Sequence, residues 1–232
     1  MLNFQNVHIG RIETLFKISN IQLEKGKLYT LIGKNGIGKS TFLNTIMGTI
    51  PPLKGIIQLK YTLQLNKQIA FVASKFEGVE FLNTREYIAL GRAPYTNFLG
   101  KLNNDDNLIV DKIIKLLDIQ HLSAIDTTKL SDGERQIASI GRALAQETEI
   151  ILLDEPLAFL DYENKIKVLN LLNEISKKEN KCIILSSHDI ELCLRHTKEV
   201  LIIDNKNKEL ILADQNILLE DIVKLAFQGI NL

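Results

Sequence analysis

The chain carries no surplus of either charge: its 232 residues hold 28 lysines and arginines against 28 aspartates and glutamates. That balance argues against a domain held to nucleic acid by net charge, and no nucleic-acid partner is expected. Cysteine is scarce as well. Cys182 lies in an apolar run and Cys193 in a helical pattern, with no metal-ligand spacing to each other or to a histidine. Both read as reduced, buried thiols of a cytosolic protein rather than as a disulfide or a zinc site. No apolar run approaches the ~20 residues that a helical membrane span needs, and the amino terminus lacks the charged, apolar and small-residue succession of a secretory signal. The chain is therefore expected neither to cross a membrane nor to be exported. No internal repeat, low-complexity tract or long heptad array is present, which excludes solenoids and extended coiled coils.

What is there is an alternation. Runs rich in β-branched and apolar residues, "IILL" (Ile150–Leu153), "CIILSS" (Cys182–Ser187) and "VLIID" (Val200–Asp204), are separated by helical patterns, as in β-α units on a largely parallel sheet. Their apolarity on both faces fits buried strands, and 45% hydrophobic residues are ample for a core. A region with "NLIVDKIIKLLDIQHL" (Asn107–Leu122) has apolar residues at helical spacing and reads as a helical insertion. "PP" at Pro51–Pro52 and "APYTNFLGKLNN" at Ala93–Asn104 read as loops.

The stretch "LYTLIGKNGIGKSTFLNTIMG" (Leu28–Gly48) carries the first chemistry. It fits G-x-x-x-x-G-K-[ST], with a strand-like run before it and a helical one after. Gly33, Gly36 and Gly38 are expected to take backbone conformations closed to other residues, so that the N–H groups of Gly33, Lys34, Asn35, Gly36, Ile37 and Gly38 turn toward phosphate oxygens. Lys39 adds a cation for the β- and γ-phosphates, and Ser40 a hydroxyl for Mg²⁺. Thr41 is expected to open a helix whose N-terminus faces the same anion. The ligand implied is a nucleoside triphosphate.

"IILLDEP" then places Asp154 and Glu155 at the carboxyl end of an apolar run, where open α/β sheets bind ligands. Asp154 suits the shell of the Mg²⁺ held by Ser40, and Glu155 suits a base for an attacking water. "KLSDGERQIASIGRALA" reads as a helix with Ser131, Asp132 and Gly133 at its start and Ile137, Ile140 and Leu144 facing inward. Its exposed N-terminus is a second place for an anion.

The order of these segments, phosphate loop, "LSDGE", "ILLDEP", "AFLD" (Ala158–Asp161) and "SSHD" (Ser186–Asp189), resembles the nucleotide-binding subunits of ATP-binding cassette (ABC) transporters, over Leu2 to about Gly229. The resemblance implies a P-loop NTPase of ABC type within residues 1–232: a mainly parallel α/β sheet core, an amino-terminal antiparallel β part, and a helical subdomain inserted at about residues 75–145. It makes "GKNGIGKST" the Walker A loop, "LSDGE" the signature, "ILLDEP" Walker B, Asp161 part of the D-loop and His188 the switch histidine, catalytic with Glu155 and Lys39. It implies ATP and Mg²⁺ as cofactors and a head-to-tail dimer. In that dimer Ser131, Asp132, Gly133 and Glu134 of one copy close over the phosphates held by Lys39 of the other. Permease subunits in the membrane, and through them a substrate-binding protein, are the further partners implied, with the chain peripheral on the cytoplasmic face.

"NTREYIALGRAPY" (Asn83–Tyr95) and "SSHDIELCLRHTKEVLIID" resemble the importer branch that serves iron chelates, haem and cobalamin. After Asp204 a short strand and terminal helices are expected, with no added regulatory domain. Asp132 and Glu134 stand where Gly and Gln are commoner, and Ser74 stands where the family's glutamine reaches Mg²⁺ and water. No aromatic residue lies at His8–Arg11 to stack on adenine, leaving His8 or Phe16 as substitutes. Two other readings stay open: a soluble ABC ATPase of DNA repair, chromosome structure or translation, and a weakly hydrolysing, nucleotide-gated scaffold for which Ser74 speaks.

Overall fold

The computed structural model describes residues 2–59, 67–213 and 217–227. Its strands are β1 (Leu2–Gly10), β2 (Thr14–Leu23), β3 (Lys27–Ile32), β4 (Lys54–Leu59), β5 (Ile69–Val72), β6 (Ile150–Leu153), β7 (Cys182–Ser186), β8 (Glu199–Asp204) and β9 (Glu209–Leu212). They form one sheet in the order β4-β1-β2-β9-β8-β3-β7-β6-β5. β5, β6, β7, β3 and β8 run parallel, whereas β1 pairs antiparallel with β2 and β4, and β9 antiparallel with β8. The β-rich antiparallel part is thus amino-terminal, and β9 joins it to the parallel part through the single pair Lys17↔Glu209.

Alternation with period two explains the parallel strands. Ile150, Leu152, Cys182, Ile184, Leu201 and Ile203 enter one apolar cluster together with Phe4, Phe16 and Phe42. Ile151, Leu153, Ile183 and Leu185 enter another on the opposite face. Every residue of "IILL" is buried because each face of the strand meets a core. Burial pushes the Cys182 thiol up to about 12 and raises that of Cys193. Both cysteines are free, buried and inert, as read from the sequence.

The helices are α1 (Lys39–Met47), α2 (Thr84–Ala89), α3 (Asn104–Leu116), α4 (Asp132–Ala145), α5 (Tyr162–Lys178), α6 (Ile190–His196) and α7 (Leu219–Phe227). Between β5 and β6 lie α2, α3 and α4, and all three start with the same device. Asn83, Asn103 and Ser131 cap them, and Glu86, Asp106 and Glu134 reach back to the cap backbone. Arg92, just past the end of α2 and nearly fully buried, ties the start of α3 to the end of α4. It donates to Asp106 Oδ1 at 2.9 Å, to the Ala145 carbonyl at 2.8 Å and to Glu147 Oε2 at 2.8 Å. Asp106 takes two kinds of donor: the Asn103 N–H, the larger influence, and Arg92 hold its carboxyl below the usual range.

Two boundaries differ from the sequence reading. The periodic run at Asn107–Leu122 is helical only to Leu116 and starts earlier, at Asn104, because the Asn103–Asp106 capping box fixes its first turn. Asp118 then adopts φ +57°, which ends the helix, and Gln120–Leu122 form a 3-10 turn. α1 begins at Lys39 rather than at Thr41. The expected strand after Asp204 is β9 and the expected helix α7, while residues 228–232 lie outside the described residues.

Candidate functional site

Strand order decides which loops meet. β7 lies between β3 and β6, so three carboxyl-end loops are neighbours: the glycine-rich loop after β3, Asp154–Glu155 after β6 and Ser187–His188 after β7. A cleft of about 510 Å³ opens there, lined by Leu15, Asn35, Gly36, Gly38, Lys39, Ser40, Thr41, Glu155 and His188.

The loop is built in three ways by its glycines. Gly36 has φ +75° and open space around it, so its backbone conformation alone calls for glycine. Gly38 has φ +115° and serves as the N-cap of α1, and a Cβ there would stand 2.9 Å from Leu15 Cδ1. Gly33 corrects the expectation for all three, because its φ is not positive. A Cβ at Gly33 would lie 3.0 Å from Ile37 Cγ2 and 3.3 Å from Ile203 Cβ, so close packing is what keeps it small. Ile37 itself points inward, into the cluster with Phe42 and Ile203. Asn35 and Gly36 are exposed and line the cleft.

Lys39 is the first residue of α1 and is buried to 6% exposure. Its Nζ donates to the Gly33 carbonyl at 3.0 Å and lies 3.5 Å from that of Lys34. Among the described residues it forms no ion pair. Burial lowers its pKa, and the carboxylates of Glu155 and Asp154 oppose that shift. A desolvated ammonium with no carboxylate in direct contact, beside a helix N-terminus with no side-chain cap and no acid in its first turn, is a receptor for an anion.

The carboxylates follow. Asp154 is buried and accepts from Ser186 Oγ at 2.7 Å. Glu155 adopts φ +49°, its N–H donates to Ser186 Oγ at 2.9 Å, and its Oε1 lies 2.6 Å from His188 Nε2. Glu155 and His188 are thus one hydrogen-bonded pair facing the loop that holds Lys39. No cluster of three or more His, Cys, Asp or Glu able to hold a metal occurs among the described residues. The donor set of Ser40, Asp154 and a bound triphosphate fits Mg²⁺, which takes few protein ligands and fills its shell with phosphate oxygens and water.

The other residues singled out in the sequence lie elsewhere. Ser131, Asp132, Gly133 and Glu134 do not line the cleft. Ser131 caps α4, and its backbone N–H and hydroxyl both donate to Glu134 Oε2, at 2.7 and 2.8 Å. These contacts, backbone first, hold the Glu134 carboxyl below its usual range. Gly133 has a reason within its own chain, since a Cβ there would stand 3.0 Å from the Phe159 carbonyl oxygen of the D-loop. Asp161 caps α5 by accepting from the Asn164 N–H at 2.8 Å. Ser74 is exposed and outside the cleft lining. Phe16 cannot stack on a base, because it is fully buried against Phe42. His8 is turned to the Thr14 hydroxyl at 3.2 Å. Sequence reading overlooked Leu15, the apolar wall of the cleft, and Ser186, though Ser186 opens the quoted "SSHD".

The ABC transporter family model matches residues 16–158, more than half of the chain. The chain belongs to the ABC transporter family. The achromobactin transport ATP-binding protein CbrD of Dickeya dadantii (strain 3937) is 34% identical over 222 residues, covering 93% of this chain and 82% of the relative. The petrobactin import ATP-binding protein FpuD of Bacillus anthracis is 33% identical over 194 residues, covering 81% of this chain and 71% of the relative. Among solved structures, a chain described as belonging to a metal-chelate type ABC transporter in an inward-facing conformation superposes with a TM-score of 0.85 at 27% identity. That match covers 97% of this chain and 88% of the other. In this ABC ATPase the glycine-rich loop with Lys39 lines one cleft together with Glu155 and His188. No helix among the described residues is long and apolar enough to cross a membrane.

Proposed function

We propose that residues 1–232 act as one nucleotide-binding domain that hydrolyses ATP to power an ABC importer, with an iron chelate, haem or cobalamin as cargo. The cargo reading follows from what the named relatives carry and from the stretch Asn83–Tyr95. Two copies close head to tail, so that Ser131 and Gly133 of one meet the phosphates on Lys39 of the other. Permease subunits receive the stroke, a substrate-binding protein delivers the cargo to them, and the ATPase rests on the cytoplasmic face of the membrane.

The observation that carries the reading is the Glu155–His188 pair facing Lys39 across one cleft. Lys39 and the loop N–H groups hold the β- and γ-phosphates. Glu155 accepts the proton of an attacking water, and His188, bonded to Oε1, keeps that carboxylate aimed. Mg²⁺ held by Ser40 and Asp154 would supply charge neutralisation at the transferred phosphoryl group. The same pair weighs against a purely scaffolding role, since it is the part hydrolysis needs and binding does not.

Glu155→Gln keeps the size and removes the charge. Hydrolysis should fall by roughly 10²–10⁴-fold while ATP binding survives. Hydrolysis at the wild-type rate would move the base elsewhere. The cargo is tested apart from the ATPase: a strain lacking the gene should grow poorly with a ferric chelate as its iron source and recover with the wild-type gene but not with Glu155→Gln. Unimpaired growth with each of a ferric chelate, haem and cobalamin as the sole source would overturn the cargo and leave the ATPase standing.

A further inference from the structure

Ser186 has no role in the reading above, yet its hydroxyl touches the Asp154 carboxylate and the backbone N–H of Glu155. It ends β7, the strand between the one that delivers the phosphate loop and the one that delivers Asp154 and Glu155. Its side chain is fully buried. The hydroxyl has one proton and two lone pairs. The proton goes to Asp154 Oδ1 at 2.7 Å, and a lone pair accepts the Glu155 N–H at 2.9 Å. The directions are fixed by chemistry, since a carboxylate only accepts and an amide N–H only donates. Glu155 has φ +49°, a backbone conformation that a non-glycine residue keeps only where its surroundings hold it.

We infer that Ser186 is a positioning residue that sets Asp154 and Glu155 relative to each other. Its hydroxyl pins one oxygen of the metal-directed carboxylate and, through the Glu155 N–H, the left-handed turn that swings the water-directed carboxylate over to His188. One buried oxygen thereby links the metal side of the site to the base side, and alanine at this position would free both. The inference rests on the ATPase reading, and its experiment is arranged so that the two fail separately.

The experiment compares wild type, Ser186→Ala and Ser186→Thr, the last keeping a hydroxyl on the strand. Mn²⁺ binding in the presence of a non-hydrolysable ATP analogue is followed by electron paramagnetic resonance. Nucleotide binding without metal, thermal unfolding, and ATPase rate against Mg²⁺ concentration are measured beside it. Ser186→Ala should weaken Mn²⁺ binding and lower kcat, each by roughly 10-fold, the scale on which partners of metal ligands act. Metal-free nucleotide affinity should stay unchanged, and Ser186→Thr should restore both quantities. Wild-type Mn²⁺ affinity and kcat in Ser186→Ala would overturn the inference. So would equal losses in Ala and Thr that track thermal stability, which mark a packing role only. Should Ser186→Ala not fold, Ser186→Cys, close in shape with a weak S–H donor, takes its place under the same outcomes. A wild-type protein that neither binds Mn²⁺ with nucleotide nor hydrolyses ATP would instead sink the ATPase reading.

Discussion

α1 and α4 both present an N-terminus with its dipole, yet the two are built in opposite ways. α1 starts at Gly38 in a left-handed conformation, with no side-chain cap, no acid in its first turn and a buried lysine as its first residue. α4 starts at Ser131 with a closed capping box and carries Asp132 and Glu134 in its first turn. The dipoles are alike, so the difference lies in who satisfies the end groups. In α1 that is left to a visitor, whereas in α4 the chain's own Glu134 carboxylate sits where an anion would. A phosphate that takes the Ser131 hydroxyl proton must replace its bond to Glu134 Oε2, worth about 1.5–3 kcal/mol, while Ser131 Oγ goes on accepting the Glu134 N–H. α1 is therefore the end that can hold a nucleotide alone, and α4 suits a lid that arrives once the nucleotide is already held.

Removing the lysine breaks the comparison at its strong end. Lys39→Ala should cost nucleotide affinity at least roughly 10–100-fold, the scale of a charged hydrogen bond lost from a phosphate. Titration of the isolated chain with a fluorescent ATP analogue measures it, and unchanged binding would show that the loop backbone suffices.

The far end of α4 is tested through the buried ion pair. Arg92→Ala leaves Asp106 buried without its guanidinium and should destabilise the chain by about 3–5 kcal/mol in chemical unfolding. ATP binding by the folded fraction should stay intact, because α1 is untouched. Asp106→Asn adds a pH signature. The folded carboxyl titrates below its ordinary value, so its contribution is fully present above about pH 4 and is lost as pH falls through the lower folded value. The stability gap between wild type and Asp106→Asn should be flat near neutrality and shrink in acid; a gap that widens in acid would contradict the assignment.

Ser74 carries the smallest expected effect. Its hydroxyl is shorter than a glutamine amide and the residue is exposed, so Ser74→Ala should lower ATP turnover only modestly, with a bridging water lost. Ser74→Gln should equal or exceed wild type. Ser74→Ala as inactive as Glu155→Gln would make the hydroxyl a direct ligand.

How far the sequence revealed all this follows the same division. The parallel strands were legible because "IILL" and its relatives are apolar on both faces, and the candidate site was legible because Glu155 and His188 follow such runs and Lys39 closes the glycine-rich loop after another. The start of α4 was legible from Ser131. What escaped depends on contacts distant in sequence. Ser186 looks like one more strand residue until β7 is seen between β3 and β6. Gly33 is small because of Ile203, and Phe16 is core because of Phe42. The end of α3 escaped because Leu117, Ile119 and Leu122 keep an apolar rhythm past Asp118, whose positive φ no periodicity reveals.

The central claim is that one copy's α1 and the other's α4 make a single site, and mixing two broken chains tests it most directly. Ser131→Trp blocks the lid on an exposed residue, avoiding the internal clash at Gly133, while Lys39→Ala empties the loop. Each variant alone should be inactive, since both sites of its dimer are spoiled. In a mixed dimer both defects fall on one site and the other is rebuilt, so an equal mixture should recover hydrolysis at about a quarter of the wild-type sites. No recovery, with mixed dimers shown to form, would contradict the account and place the complete site within one chain.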